Sequence, residues 1–172
     1  EGFALVFSDI LFDPDILSRL VRSGKDIVLG IDNSYTYHRH DIEKRLDLVI
    51  SRKAYDPGFR SLHRDSVSEL VGIGKSIEFR KADYEFIGMA YFSKEGAAAL
   101  REVNDACVAD VKGAFHEAPS LRQAGITDMI TELMEQGFSV FGIEVSRGWR
   151  EIHTRDDVDL AGAEIAALAR GR

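Results

Sequence analysis

The sequence predicts an α/β sheet domain, and three observations carry that prediction. Apolar runs of strand length recur along the chain, at 3–7 (FALVF), 27–31 (IVLGI) and 85–92 (EFIGMAYF). Segments with helix start and stop signals alternate with them. No repeat, low-complexity tract or linker divides the 172 residues, so a single domain is expected.

Residues 3–7 are almost wholly apolar, as a strand buried at the centre of a sheet would be. A domain rarely opens on its central strand, so further sequence upstream is expected. Asp9 falls on the loop just past this strand. Asp13 and Pro14 then supply an N-cap and a proline at the first helical position, starting a helix through Arg22 that Gly24 ends. Residues 27–31, 46–51 and 70–73 read as three more strands separated by glycine- and proline-punctuated loops. The least periodic stretch, 52–64, reads as a mobile loop. After the strand at 85–92, Ser93 caps a long alanine-rich helix running towards Val111. Residues 126–136 form an amphipathic helix with Ile126, Met129, Ile130 and Leu133 on one face and Gly137 as its stop. Strands at 139–145 and 149–152 and a helix from Asp156 to about Ala169 complete the alternation.

Charge and cysteine usage narrow the function classes. Twenty-nine acidic residues against 22 basic ones give a net charge of -7, a field that repels nucleic-acid backbones while leaving room for a local phosphate pocket. No apolar run approaches the roughly 18 residues of a membrane span. The start EGFALVFSD has no basic region or cleavage site of a secretion signal. The single cysteine, Cys107, excludes an intrachain disulfide and fits a cytoplasmic setting, with a buried structural thiol expected over a catalytic one.

Four groups of residues have the chemistry of a site, and each also has a plainer reading. Asp9 at the carboxyl end of a strand stands where open α/β sheets place ligands, and a carboxylate there suits a hard cation such as Mg²⁺; it also reads as a loop residue. Trp149, Glu151 and His153 alternate on one face of an extended stretch with Ile152 turned inward. Glu151 and His153 so placed reach one metal, or else Trp149 packs, Glu151 is solvated and His153 caps a helix. Lys75 in VGIGKSIEF follows a glycine pair able to approach a phosphate, although G-x-G-K is too short for a Walker loop and a surface lysine is the plainer reading. The cluster His38, Arg39 and His40, and the basic residues Arg52, Lys53, Arg60 and Arg64, are anion-binding candidates or solvated loops.

Three segments together resemble a known family, the nucleotidyltransferases of the sugar-phosphate and phosphocholine cytidylyltransferase type, above all those associated with phosphoenolpyruvate mutase in phosphonate biosynthesis. SDILFDPDILSRLVRSGKDIVLGID is similar to the family's strand, metal aspartate and helix, with Ser8-Asp9 where Gly-Asp is usual. VGIGKSIEFRKADYEFIGMAYFSKEGAAAL resembles its acceptor-side region, and DMITELMEQGFSVFGIEVSRGWREIHTRDDVDLA its closing segment, commonly W-x-E-I-D-T-x-E-D-L. The resemblance implies a Rossmann-like nucleotidyltransferase (GT-A-like) mixed sheet flanked by helices, lacking the N-terminal nucleotide-loop portion. It implies transfer of a nucleotidyl group from an NTP, CTP by preference, to a small phosphonate or phosphocholine-like acceptor, with release of pyrophosphate.

The resemblance makes Asp9 a metal ligand, places Glu151 and His153 in the closing metal motif, and sets Lys75 near the acceptor's phosphate. It has Glu85, Gly88 and Trp149 line the acceptor pocket. His153 stands where the motif has an aspartate, so Mg²⁺ is expected to bind less well there and Mn²⁺ is favoured in comparison. A catalytically impaired binding or interaction module derived from the same fold is the alternative. A partner, either a missing N-terminal portion or a second copy in a homodimer, is expected to cover an open sheet edge.

Overall fold

A computed structural model describes residues 1–37, 45–54 and 67–170. His38, Arg39, His40, Arg60 and Arg64 lie outside the described residues, as does most of the loop expected at 52–64.

In chain order the strands are β1 (Phe3–Val6), β2 (Ile10–Phe12), β3 (Ile27–Asp32), β4 (Leu48–Ser51), β5 (Val67–Gly74), β6 (Tyr84–Phe92), β7 (Phe141–Glu144) and β8 (Trp149–Glu151). The helices are α1 (Pro14–Arg22), α2 (Lys94–Asp110), α3 (Ile126–Glu135) and α4 (Arg155–Arg170). Local chemistry sets their starts. Asp13 accepts from the Asp15 amide at 2.9 Å at α1, and Ser93 from Gly96 at 3.1 Å at α2. Thr154 and Asp157 bond reciprocally at the start of α4, which leaves the His153 side chain free of capping duty.

The main sheet runs β1-β6-β3-β7-β5-β4, and β4 also pairs with β6, so β6, β3, β7, β5 and β4 close into a small barrel with β1 appended. This differs from the open sheet expected. The cause is the length of β6, which lends one edge to two strands: Met89–Phe92 pair with β1, while Tyr84 and Glu85 pair with Val49 and Leu48 of β4. Strands β3 and β7 run parallel; the other described pairings are antiparallel.

Two further expectations are corrected. β1 is an edge strand among the described residues, paired only with β6, and its apolar side chains are largely open, Phe3 at 40% and Val6 at 37% exposure. The short β2 was not anticipated. Its three residues carry no periodicity, and only its partner β8, far along the chain, makes it a strand: Ile10, Leu11 and Phe12 face Glu151, Arg150 and Trp149.

Period-two alternation divides the core. Ile27, Leu29 and Ile31 of β3 join Phe86 and Phe92 of β6 under α2 and α3, where Val103, Cys107, Ile130 and Leu133 are also buried. Val28 joins Ile87, Met89 and Ile143 against Ile16 and Leu20 of α1. Each such side chain taken fully out of water contributes about 1.5–3 kcal/mol. Burial also pushes the Cys107 thiol pKa up, with Glu132 and Asp110 adding to it, as an inert structural thiol requires. Among the described residues no helix is long and apolar enough to cross a membrane.

Candidate active site

The path into the site begins at Gly88. This residue lies in β6 opposite a register shift in β3 and adopts φ +76°, a conformation that favours glycine. A Cβ there would lie 2.6 Å from the Phe7 ring. The Phe7 amide donates to the Gly88 carbonyl at 2.9 Å, so the chain leaving β1 is fixed two residues before Asp9.

Asp9 occupies the turn between β1 and β2, and its carbonyl accepts from the Ile152 amide at 2.7 Å. That bond extends the β2–β8 ribbon by one step and sets Asp9 beside the residues following β8. His153 Nε2 lies 2.8 Å from Glu151 Oε1, and His153 Nδ1 lies 3.9 Å from Asp9 Oδ2. One ligand atom from each of the three residues falls within 4.8 Å of the others. All three are reachable from solvent, with side-chain exposures of 42% for Asp9, 25% for Glu151 and 48% for His153.

Trp149 holds the other end of β8. Its indole N–H donates to Asp32 Oδ2 at 2.6 Å, while Oδ1 of the same carboxylate accepts from the Ser34 amide at 2.6 Å. Asp32 is 2% exposed, and its cross-strand neighbour on β6 is Glu85, at 5%. Glu144, at the end of the adjacent β7, accepts from the Asn33 side chain at 2.6 Å. Burial raises the Glu144 pKa and the Asp32 charge raises it further, against the pull of Arg19.

Lys75 stands at the end of β5. Its Nζ is 3.9 Å from Asp47 Oδ1, a buried oxygen with no hydrogen-bond partner among the described residues. The Asp47 pKa is raised, first by burial; Lys75 opposes this, and Glu117, Glu151 and Asp128 add to it. The amides expected to approach a phosphate are already occupied, because Lys75 N and Ser76 N both donate to Glu117.

Asp9, Glu151 and His153 are thus brought together, Trp149 is joined to them through β8, and Glu85 is joined to Trp149 through Asp32. Gly88 acts on this region by packing under Phe7. Asp32, Glu144 and Asp47 were missed by the sequence reading. Asp32 carried a legible signal, since it directly follows the run IVLGI and so stands at the carboxyl end of a buried strand, the same feature that singled out Asp9. Arg52, expected as an anion ligand, pairs with Glu69 through Nε and Nη2 at 2.7 and 3.0 Å. A second His and carboxylate group joins His116, in the turn between Phe115 and Ala118, to Glu132 and Glu135 of α3; His116 Nε2 is 2.8 Å from Glu132, and Gln136 bonds the same carboxylate. A hollow of about 360 Å³ lined by Lys25, Asp26, Glu95 and Phe141 lies at the opposite end of β3 from Asp32.

No protein-family model and no curated protein matches the chain. Solved structures do match. The inositol-1-phosphate CTP transferase from T. maritima aligns over 91% of this chain and 51% of its own, at 18% identity and a TM-score of 0.56. A UTP-bound UGPase from Acinetobacter baumannii aligns over 91% and 48%, at 11% identity and 0.58. An apo UDP-glucose pyrophosphorylase aligns over 98% and 55%, at 12% identity and 0.59. The mixed α/β fold therefore resembles part of the fold of sugar-phosphate nucleotidyltransferases, and the chain spans about half the length of the structures it matches.

Proposed function

We propose that this chain is the acceptor-side part of a nucleotidyltransferase that transfers CMP from CTP to a small phosphonate or phosphocholine-like acceptor. The observation that carries this reading is the convergence of the Asp9, Glu151 and His153 donor atoms within 4.8 Å on a fold of nucleotidyltransferase type. In the reaction an acceptor oxygen forms a bond to the α-phosphorus of CTP, the bond from that phosphorus to the β-phosphate oxygen breaks, and pyrophosphate leaves with the electron pair.

Two carboxylates and an imidazole fit a divalent cation, and the imidazole makes the set better matched to Mn²⁺ than to Mg²⁺. Such an ion supplies neutralisation of the charge on the transferring phosphoryl group. The rest of the task falls to the chain. Asp9, Glu151 and His153 hold the ion, and the Lys75 ammonium offsets the acceptor's anion as two like-charged reactants approach. Glu85, Gly88 and Trp149 shape the acceptor side, with Asp32 fixing the indole. The apolar edge of β1, unpaired on one side among the described residues, supports an additional portion of polypeptide, or a second copy, pairing there to complete the nucleotide side.

Pyrophosphate release from CTP tests this directly, with Mg²⁺ or Mn²⁺ and a panel of aminoethylphosphonate, hydroxyethylphosphonate and phosphocholine. Once the nucleotide side is supplied, acceptor-dependent release that disappears in Asp9→Ala is the expected result. No release from the isolated chain is what a missing nucleotide side gives; no release with either metal after that side is restored overturns the reading and leaves a binding or interaction module.

A further inference from the structure

Resting on the reading that Lys75 meets the acceptor's anion, we infer that Glu117 is the positioning residue that holds Lys75 in place. Its carboxylate is clamped across the turn after β5. Oε2 accepts from the Lys75 amide at 2.8 Å and Oε1 from the Ser76 amide at 2.7 Å. The preceding residue, Gly74, has φ +153°, and a Cβ on it would lie 2.5 Å from Glu117 Oε1, so the close approach requires glycine. The GxGK segment is an anion-binding turn, but the anion it binds is the chain's own.

Glu117 is itself anchored. Phe115 and Ala118 exchange both backbone hydrogen bonds at 2.9 Å, forming a tight turn around it. The Glu117 amide donates to Asp128 Oδ1 at 2.9 Å, and the other oxygen of Asp128 accepts from the Gly125 amide at 2.8 Å. Asp128 is 8% exposed in the first turn of α3. One turn further along, the Thr131 hydroxyl lies 3.2 Å from the Ile73 carbonyl and 3.0 Å from the Thr127 carbonyl, sharing its one proton between them. Helix α3 therefore grips the end of β5 on both sides of Gly74. The backbone at Lys75 is held from one side while its ammonium, half exposed, extends towards Asp47 on the other.

The geometry separates positioning from simple electrostatics by sign. Four charged groups act on Asp47: Lys75 lowers its pKa, and Glu117, Glu151 and Asp128 raise it. Removing the charge of Glu117 alone must move the Asp47 titration midpoint down. Releasing Lys75 must move it up. The experiment is a ¹³C carboxyl titration of Asp47 in the 172-residue chain without metal, comparing wild type with Glu117→Gln and Lys75→Met.

The expected result is an upward shift in both variants, with Lys75 and Ser76 amide exchange accelerated about tenfold in Glu117→Gln. A downward shift or none in Glu117→Gln overturns the inference, whatever the amides do. Binding of methylphosphonate, followed by ³¹P NMR, supplies the second arm. About tenfold weakening in both variants is expected. Weakening in Lys75→Met alone overturns the positioning role while sparing the functional reading. A wild-type affinity that Lys75→Met does not change overturns the role given to Lys75, and with it the inference.

Discussion

The indole N–H of Trp149 reaches 117 positions back along the chain to donate to Oδ2 of Asp32 at 2.6 Å. That bond ties the β2–β8 ribbon, which carries Glu151 and leads into His153, to the end of a strand buried along its whole length. Trp149→Phe keeps an aromatic ring but removes the donor and part of the contact area, leaving Oδ2 of a carboxylate at 2% exposure without its indole partner. A loss of about 1–3 kcal/mol in urea denaturation is expected, with the slope against denaturant unchanged. A double-mutant cycle with Asp32→Ala should show strong coupling, because each change removes the same bond.

Asp47 is a source of instability at neutral pH. Its folded pKa is raised, chiefly by burial, so its contribution to stability is full below the unfolded value and is lost as pH rises through the folded value. Asp47→Asn does not titrate. The variant should match the wild type in acid and be more stable near neutrality. Thermal unfolding across a pH series checks both the sign and the window.

Metal selectivity should follow the imidazole. Mn²⁺ at a hundred times its dissociation constant should stabilise the chain by about 2.7 kcal/mol, and Asp9→Ala should remove that gain. His153→Asp replaces nitrogen by oxygen and should shift the preference from Mn²⁺ towards Mg²⁺. Calorimetric titration with each ion separates these outcomes.

Gly88→Ala should be costly for two separable reasons. A side chain at φ +76° carries about 1–2 kcal/mol of strain, and the new Cβ meets the Phe7 ring. Adding Phe7→Ala should recover the steric part and leave the backbone part, a non-additivity that equilibrium unfolding would resolve. Because Phe7 precedes Asp9 by two residues, Gly88→Ala alone should also weaken Mn²⁺ binding.

Much of this architecture was legible because its signals are local. Asp13-Pro14, Ser93 and the 3.6-residue periodicity of residues 126–136 placed α1, α2 and α3 to within about two residues. The fully buried β3 announced itself as IVLGI. What was not legible depends on partners distant in sequence. β2 is a strand only because β8 pairs with it, β4 joins β6 only because the barrel closes, and β1 is apolar for a reason its burial among the described residues does not supply. The site divided in the same way. Spacing put Glu151 and His153 on one side of an extended segment, the carboxyl end of a strand singled out Asp9, and the resemblance implied that the three share a metal. Nothing local announced that Glu117 would occupy the amides of Lys75 and Ser76, since the partners lie 42 and 41 positions apart in sequence.

The shared edge of β6 bears on how the molecule opens and closes. Tyr84 and Glu85 pair with β4 while Met89–Phe92 pair with β1, and the far edge is taken by β3, so one nine-residue strand joins three others at once. Breaking any one ladder leaves β6 held by the remaining two. Its central amides should therefore exchange with solvent only through global unfolding, whereas those of β2 and β8 exchange through local openings of the ribbon. Refolding runs into the same arrangement from the other side: the circuit cannot shut until segments separated by long loops have met, which places this chain among the slower folders of its size.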